Sequence, residues 1–248
     1  MPRSRLLLVS GLVFFAVVCL RLGFWQLDRL ADRRSSNAAH LAKRSLPEVR
    51  LPEAVPAESL DGRPVQAIGR YDRRGEIVLR GQVLGGVPGI ILVTPLKLEG
   101  SGDTVVLVER GFVPSPDALT IPPGNDFAEP GLQNVRGVAF AIDSGGNAEP
   151  LEMEGRWTFR RLELQTVRAR LLEPVLNVVI RQTPDSALPS FPRRRPAPPL
   201  DEGPHRLYAI QWFAFATMAV VFAGIFLGRA RAEGADGRPD RAPPMPRG

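Results

Sequence analysis

The side chains best suited to chemistry lie together near the C-terminal end of the chain. His205, Tyr208 and Trp212 are spaced i, i+3 and i+7, so a helix would carry an imidazole and two aromatic rings on one face. An imidazole can supply an axial bond to a metal, and aromatic rings can stack on a flat macrocycle. An aromatic belt at a membrane surface, with an incidental histidine, uses the same residue types. The spacing alone leaves both interpretations open.

Other kinds of site find little support in the sequence. A single cysteine, Cys19, excludes an internal disulfide, a multi-cysteine zinc site and a CxxC redox pair. The only histidines are His40 and His205, which excludes a three-histidine metal centre. The motifs GxSxG, HExxH, the P-loop and GxGxxG leading into a helix are absent. The sequence favours binding over enzymatic activity, and a hydrolase would need a nucleophile–base pair that no motif indicates.

Two uncharged apolar runs, residues 6–20 and 207–227, lie near the ends of the chain. Crossing a membrane takes a helix of about 20 residues, so the first run must extend through residue 27, with Arg21 reaching the interface along its own stem. These runs predict transmembrane helices over 6–27 and 207–228. A cleaved signal peptide is the alternative for the first run, but no small-x-small cleavage site follows it, which favours an uncleaved anchor.

Arginines flank the outer ends of both predicted helices. Arg3 and Arg5 precede the first, and five arginines follow the second: Arg229, Arg231, Arg238, Arg241 and Arg247. Basic flanks stay on the cytoplasmic side. We therefore expect a cytoplasmic N-terminus over 1–5, an extracytoplasmic domain over 28–206 and a disordered cytoplasmic tail over 229–248. Such a protein is a multi-pass protein of the cell inner (cytoplasmic) membrane, in contact with membrane lipid.

The segment between the two predicted helices is β-rich. Glycine turns separate runs of β-branched residues that predict strands at 65–68, 76–79, 89–96, 104–109, 135–142 and 175–182. The turns favour an antiparallel meander, and one short helix is predicted within 160–172. The expected fold class is two terminal transmembrane helices flanking a β-rich α+β domain.

Charge is modest outside the membrane flanks. The net charge of +6 comes without a long basic run, which argues against nucleic acid as a partner. The proline-rich stretch 184–204 contains Arg193-Arg194-Arg195. We expect a solvated loop there rather than a contact with anionic lipid.

Five blocks of the sequence, taken in order, resemble the SURF1/Shy1 family. They are Leu22-Gly23-x-Trp25-Gln26-x-x-Arg29, Gly69-Arg70-Tyr71, Thr94-Pro95-Leu96, Val106-Leu107-Val108-x-Arg110-Gly111-Phe112-Val113-Pro114 and His205-x-x-Tyr208-Ala209-x-Gln211-Trp212-Phe213. The resemblance implies a cytochrome c oxidase assembly factor that binds haem a or helps to insert it into the catalytic subunit. The oxidase catalytic subunit and the haem a synthesis machinery would then be partners, and His205 matches the family's proposed haem ligand.

The motifs beside the two apolar runs predict a composite cofactor site, because both would lie at one membrane depth on adjacent helices. Its expected members are Trp25, Gln26, Arg29, His205, Tyr208 and Trp212, with His205 as the metal ligand. The planar guanidinium of Arg29 suits a haem propionate, although an arginine held at lipid headgroups explains it equally. A membrane-tethered scaffold that holds oxidase subunits without binding haem is the alternative function.

The chain departs from the family pattern at two places. Gly203-Pro204 stands where the family usually has Asn-Asn, and Phe112 stands where it usually has tryptophan. An asparagine side chain could orient the neighbouring imidazole by a hydrogen bond, which glycine cannot do.

Overall fold

The computed structural model describes residues 3–53, 56–124, 126–145 and 149–236. In chain order its elements are α1 (Arg3–Arg44), β1 (Val49–Leu51), α2 (Ala57–Leu60), β2 (Pro64–Tyr71), a 3-10 turn (Arg73–Gly75), β3 (Ile77–Leu84), β4 (Val87–Leu98), β5 (Val105–Pro114), β6 (Gln133–Ala141), β7 (Leu151–Met153), β8 (Arg156–Phe159), α3 (Leu164–Arg168), β9 (Val175–Gln182) and α4 (His205–Asp236). The chain divides into two compact units, residues 1–38 with 200–248 and residues 39–199.

The first unit is an antiparallel pair of helices, α1 and α4. Each helix buries one stripe of mostly small side chains spaced three, four or seven residues apart: Ala16, Cys19, Gly23, Gln26 and Leu30 on α1, and Ala209, Ala216, Ala219 and Ala223 on α4. The ring of Phe213 fills the space over Gly23, where an added Cβ would lie 2.6 Å from its Cε1 atom. Phe24 meets the same ring edge-on, at 5.4 Å between centroids. Both helices are long and apolar enough to cross a membrane.

The helices are longer than the sequence predicted. α1 continues past residue 27 to Arg44, and α4 begins at His205 and continues to Asp236. Residues 229–236 are therefore helical, which corrects the predicted disorder for that part of the tail; residues 237–248 lie outside the described residues. Hydropathy marks only the apolar part of a helix, whereas the alanines and arginines that follow are good helix formers in water.

The second unit is built on one nine-stranded sheet with the order β1-β2-β6-β9-β5-β4-β3-β8-β7. An additional pairing of β2 with β4 closes strands β2, β4, β5, β9 and β6 into a barrel. Within this ring only β5 and β9 run parallel. The ring strands β2, β4, β5, β6 and β9 are numbered one to five by their order along the chain. Around the barrel they follow the order one, two, three, five, four, which is the arrangement of an OB-type barrel. Function does not follow from that fold.

The predicted strands form, but the predicted antiparallel meander is only partly correct. β3, β4 and β5 follow one another as antiparallel neighbours, whereas β1 with β2, β3 with β8, and β5 with β9 are parallel pairs. Three short strands, β1, β7 and β8, were not predicted. The predicted short helix is α3, of five residues, and α2 is a second one of four residues. Strands of three or four residues are too short for an alternating pattern to be visible.

Barrel closure depends on a glycine. Gly69 of β2 pairs with Leu98 of β4, and a Cβ at Gly69 would collide with the carbonyl oxygen of Lys97. Only a residue without a side chain allows the two backbones to approach so closely. The other half of the same β2 edge is covered by β1, at residues 65–67.

Both faces of the central strands are buried. On β5, Val106 and Val108 lie in the barrel interior, while Val105 and Leu107 belong to a second cluster with Phe159 of β8. This second cluster also contains Leu164 and Val167 of α3, among other residues. A strand buried on both faces is apolar at nearly every position, as β5 is from residue 105 to 108.

Buried charges attach the segment 189–195, here called the strap, to the barrel. Arg193 forms a two-way backbone bridge with Phe112, at 2.8 Å in each direction. Arg194 and Arg110 both bind the carboxylate of Glu129, and Arg110 lies 2.6 Å from it, with Arg110 only 1% exposed. Arg194 also donates to Gln182, at 3.0 Å. The predicted solvated loop is thus wrong at Arg194, because an internal carboxylate compensates its charge.

Replacing Glu129 by alanine should destabilise the domain strongly. Two buried guanidiniums would lose their shared carboxylate, so we expect the free energy of unfolding to fall by about 3–5 kcal/mol. Denaturant unfolding of the purified full-length chain measures the change. Glu48→Ala is the matched control, because Glu48 is 37% exposed and 3.9 Å from Arg136, and we expect a loss under about 1 kcal/mol there. Equal losses in the two variants would contradict a stabilising role of the buried network.

Candidate functional site

The candidate site lies in the helical unit, where α4 begins. Gly203 has a φ of 67°, a left-handed conformation that glycine adopts freely and asparagine adopts more readily than most other residues. The carbonyl of Pro204 then accepts a hydrogen bond from the backbone of Tyr208, at 3.1 Å, in the first turn of α4. The glycine at position 203 therefore suits the backbone geometry at the start of α4. The imidazole of His205 must be oriented by another group.

That group is Gln26 of α1. Nδ1 of His205 lies 2.8 Å from Oε1 of Gln26, whose residue is only 8% exposed. An amide oxygen can only accept a hydrogen bond, so this contact fits the tautomer in which Nδ1 carries the proton. The neutral ring then keeps its lone pair on Nε2. A Cβ at Gly203 would lie 3.6 Å from Nε2, so the glycine leaves space beside this nitrogen.

Polar contacts continue along the helix pair beyond His205. Arg34 of α1 donates two parallel hydrogen bonds to the carboxylate of Glu202, of 2.7 and 2.9 Å. Asn37 donates to the backbone carbonyl of Asp201, at 2.8 Å. The hydrogen bond from Arg34 holds the pKa of Glu202 below its usual range. The segment that leads into α4 is thereby fastened to the polar end of α1.

Gln26 and His205 are joined directly by a hydrogen bond across the helix pair. Among the described residues, no hydrogen bond, ion pair or ring contact joins the other predicted site residues across it. The guanidinium of Arg29 lies 5.8 Å from the ring of Trp25 and 3.8 Å from the carboxylate of Asp32, all on α1. Consecutive residues of a helix are rotated by about 100° around its axis. Because Gln26 faces inward, the neighbouring Trp25 faces another direction and is 44% exposed.

The aromatic residues of α4 remain accessible. Tyr208 is 47% exposed, and Trp212 is half-buried with its ring edge-on to Phe215, at 6.0 Å between centroids. The rival histidine, His40, is exposed and belongs to the other unit. In the described part of the chain no group of three or more His, Cys, Asp or Glu side chains could hold a metal ion. The arrangement thus offers one imidazole nitrogen beside accessible aromatic rings.

The clamp of Arg34, Asn37 and Glu202 is the part of this region that was not predicted from the sequence. Its signal was present: two arginines, Arg33 and Arg34, follow the first apolar run, and Asp201-Glu202 precedes the second. If the two helices form an antiparallel pair, these arginines and carboxylates lie at neighbouring helix ends, and their opposite charges indicate a contact.

Comparison with known proteins places the chain in a family. A SURF1-like protein of Rickettsia felis (strain ATCC VR-1525 / URRWXCal2) is 32% identical over 112 residues, which make up 44% of this chain and 47% of that protein. The match therefore spans about half the length of the curated relative. The model of the SURF1 family matches residues 13–217, from the apolar part of α1 into α4 and with the whole barrel between them. That match covers most of the chain and confirms the resemblance seen in the sequence motifs: the chain belongs to the SURF1 family.

Proposed function

We propose that this protein is a cytochrome c oxidase assembly factor that binds haem a or helps to insert it into the catalytic subunit. Membership of the SURF1 family supports a role in oxidase assembly. The observation that carries the haem proposal is the hydrogen bond from Nδ1 of His205 to Gln26, which leaves the ring's lone pair on Nε2. The role is binding and delivery, without turnover, and the haem a synthesis machinery is the source of the cargo.

His205 would hold the haem iron, and Gln26 would act through His205. Metal-binding histidines commonly donate their second ring N–H to an oxygen acceptor, which fixes the tautomer and the ring orientation and raises the basicity of the ligating nitrogen. Gln26 supplies such an acceptor at 2.8 Å. Haem, when bound, supplies an iron centre that accepts one imidazole nitrogen. The single histidine suits this chemistry better than that of a metal ion that needs three or four protein ligands.

The other proposed contacts use residues accessible on the same two helices. Trp25, Tyr208 and Trp212 offer aromatic faces to a macrocycle, and Arg29 offers a planar guanidinium to a propionate. Haem a also carries a long isoprenoid tail. Keeping that tail near lipid avoids exposing its surface to water, which costs about 25 cal/mol per square ångström.

We further propose that both helices cross the inner membrane, with both termini in the cytoplasm and residues 28–206 on the extracytoplasmic side. The apolar length of both helices supports this, and so do the arginines at their outer ends. Large apolar side chains also point away from the buried stripes: Leu7, Phe14 and Leu207 are 72%, 70% and 70% exposed. In water such a surface would drive aggregation, whereas lipid covers it.

Replacing His205 by alanine should abolish haem binding. The full-length chain, coexpressed with haem a synthesis enzymes and purified in detergent, should show a haem absorbance spectrum. His205→Ala should lose it, and His40→Ala should retain it, because His40 is exposed and belongs to the other unit. Gln26→Leu should lower haem affinity about tenfold or more, because the imidazole loses its orienting acceptor. An unchanged spectrum in His205→Ala, with normal oxidase assembly, would contradict the ligand assignment and favour a scaffold without haem.

Cysteine labelling in spheroplasts tests the topology. Asp103→Cys places a thiol in the exposed turn between β4 and β5, and Ser4→Cys places one at the exposed start of α1. The native Cys19 is buried and serves as the background. A membrane-impermeant maleimide should label position 103 before lysis and position 4 only after it. The reverse order of labelling would contradict the proposed orientation.

A further inference from the structure

A basic cleft of about 530 Å³ lies on the surface of the barrel domain. Its walls come from β2, the 3-10 turn, β4, β8 and the segment that follows α3. The residues that matter below are Arg70, Arg74, Lys97, Trp157, Arg170 and Leu172. Two of the sequence motifs that resemble the family, Gly69-Arg70-Tyr71 and Thr94-Pro95-Leu96, lie in or beside this cleft without a role in the haem proposal.

Positive charge in the cleft exceeds the negative charge available to balance it. Among the described residues, Arg70, Arg74 and Arg170 form no ion pair with a carboxylate, although each is exposed. Of the two acidic residues in the wall, Glu173 is paired with Lys97 at 3.2 Å. The wall holds four cationic side chains, and its two carboxylates, Asp72 and Glu173, leave a net charge of +2 on one concave surface.

The like charges are built into the strand register. Arg70 of β2 lies directly opposite Lys97 of β4, at the place where the barrel closes. Like charges directly opposite each other on neighbouring strands are destabilising. Glu173 pairs with Lys97 and relieves part of this repulsion, whereas Arg70 and the two further arginines have no such partner among the described residues. An excess of positive charge in a cleft is the arrangement expected where an anionic partner binds.

The cleft is also preformed. The guanidinium of Arg170 lies 4.0 Å from the centroid of the Trp157 ring, so the aromatic ring orients it. Leu171 packs against Gly75, where an added Cβ would lie 2.7 Å from Leu171 Cδ2. This contact holds the 3-10 turn against the segment after α3. Beside these residues the side chain of Leu172 is completely exposed.

We propose that the basic cleft binds an acidic segment of a partner protein, in which carboxylates flank an apolar side chain. Planar guanidiniums bind carboxylates through two parallel hydrogen bonds. The exposed Leu172 and the face of Trp157 provide the apolar contacts that such a segment would fill, next to the cations. This site is independent of the haem proposal, because all its residues belong to the barrel domain.

Peptide selection on the full-length protein in detergent tests this proposal. Short random peptides displayed on phage are selected on the wild-type chain and sequenced. The selected peptides should be enriched in Asp and Glu around an apolar residue. Enrichment in basic or purely apolar sequences, or no enrichment at all, would overturn the proposal.

Two matched variants then locate the binding. Arg70→Gln/Arg74→Gln/Arg170→Gln removes the uncompensated charges, and Arg50→Gln/Arg136→Gln/Arg160→Gln removes the same number of exposed arginines elsewhere on the domain. By fluorescence anisotropy a labelled selected peptide should bind the first variant at least about tenfold more weakly, and the second about as well as wild type. Circular dichroism confirms that both variants fold.

Equal weakening in the two variants would show a general charge effect and overturn the assignment. A separate experiment measures binding of the protein to vesicles of phosphatidylcholine with phosphatidylglycerol, with the selected peptide as competitor. Binding of anionic vesicles to the wild type that is lost in the first variant and not displaced by the peptide would identify lipid as the ligand, and would also overturn it. Haem absorbance should be the same in both variants, so failure of this proposal is distinguishable from failure of the haem proposal.

Discussion

Two polar side chains placed between otherwise apolar helices constrain the helical unit. Gln26 and the half-buried His205 form a hydrogen bond of 2.8 Å, and leaving the buried Gln26 amide without a partner would cost about 1–3 kcal/mol. The helix pair therefore has one favourable register, in which the amide of α1 meets the first residue of α4. In that register Phe213 covers Gly23, and Arg34 reaches Glu202. The same contact holds the imidazole of His205 in place and fits an Nδ1–H tautomer, which is the form that the proposed haem binding requires.

In the barrel domain, strands that are distant in sequence form a closed sheet. Gly69 allows β2 and β4 to close the ring, and side chains of both faces of β5 are buried. The strap that follows β9 contributes Arg194 to a network in which Glu129 serves two arginines. Burial raises the pKa of the Tyr71 phenol well above its usual range, and the positive charge of the neighbouring Arg110 opposes part of that rise. Buried groups with shared charges of this kind lose their compensation together when one is removed.

Local patterns in the sequence predicted the elements better than their connections. Short β-branched runs of ten residues or fewer predict six strands, and long apolar segments predict both long helices. For example, Val175–Gln182 forms a strand over the predicted residues. The parallel pairing of β5 with β9 is not visible locally, because it joins segments about seventy residues apart. The sequence predicts a solvated Arg194 because its partner, Glu129, is also remote in sequence. At the candidate site the proximity of Gln26 and His205 was predicted from two motifs beside the two apolar runs. The outward direction of Trp25 depends on helix rotation, which hydropathy does not determine.

The tautomer of His205 tests the central claim most directly. In protein labelled with ¹⁵N-histidine, with His40 replaced by glutamine to leave one signal set, nuclear magnetic resonance distinguishes a protonated Nδ1 from a protonated Nε2. The account predicts the Nδ1–H tautomer for His205 in the haem-free protein, and a change to Nε2–H in Gln26→Leu. An Nε2–H tautomer in the protein with Gln26 intact would contradict it, because the nitrogen proposed to bind iron would then carry a proton.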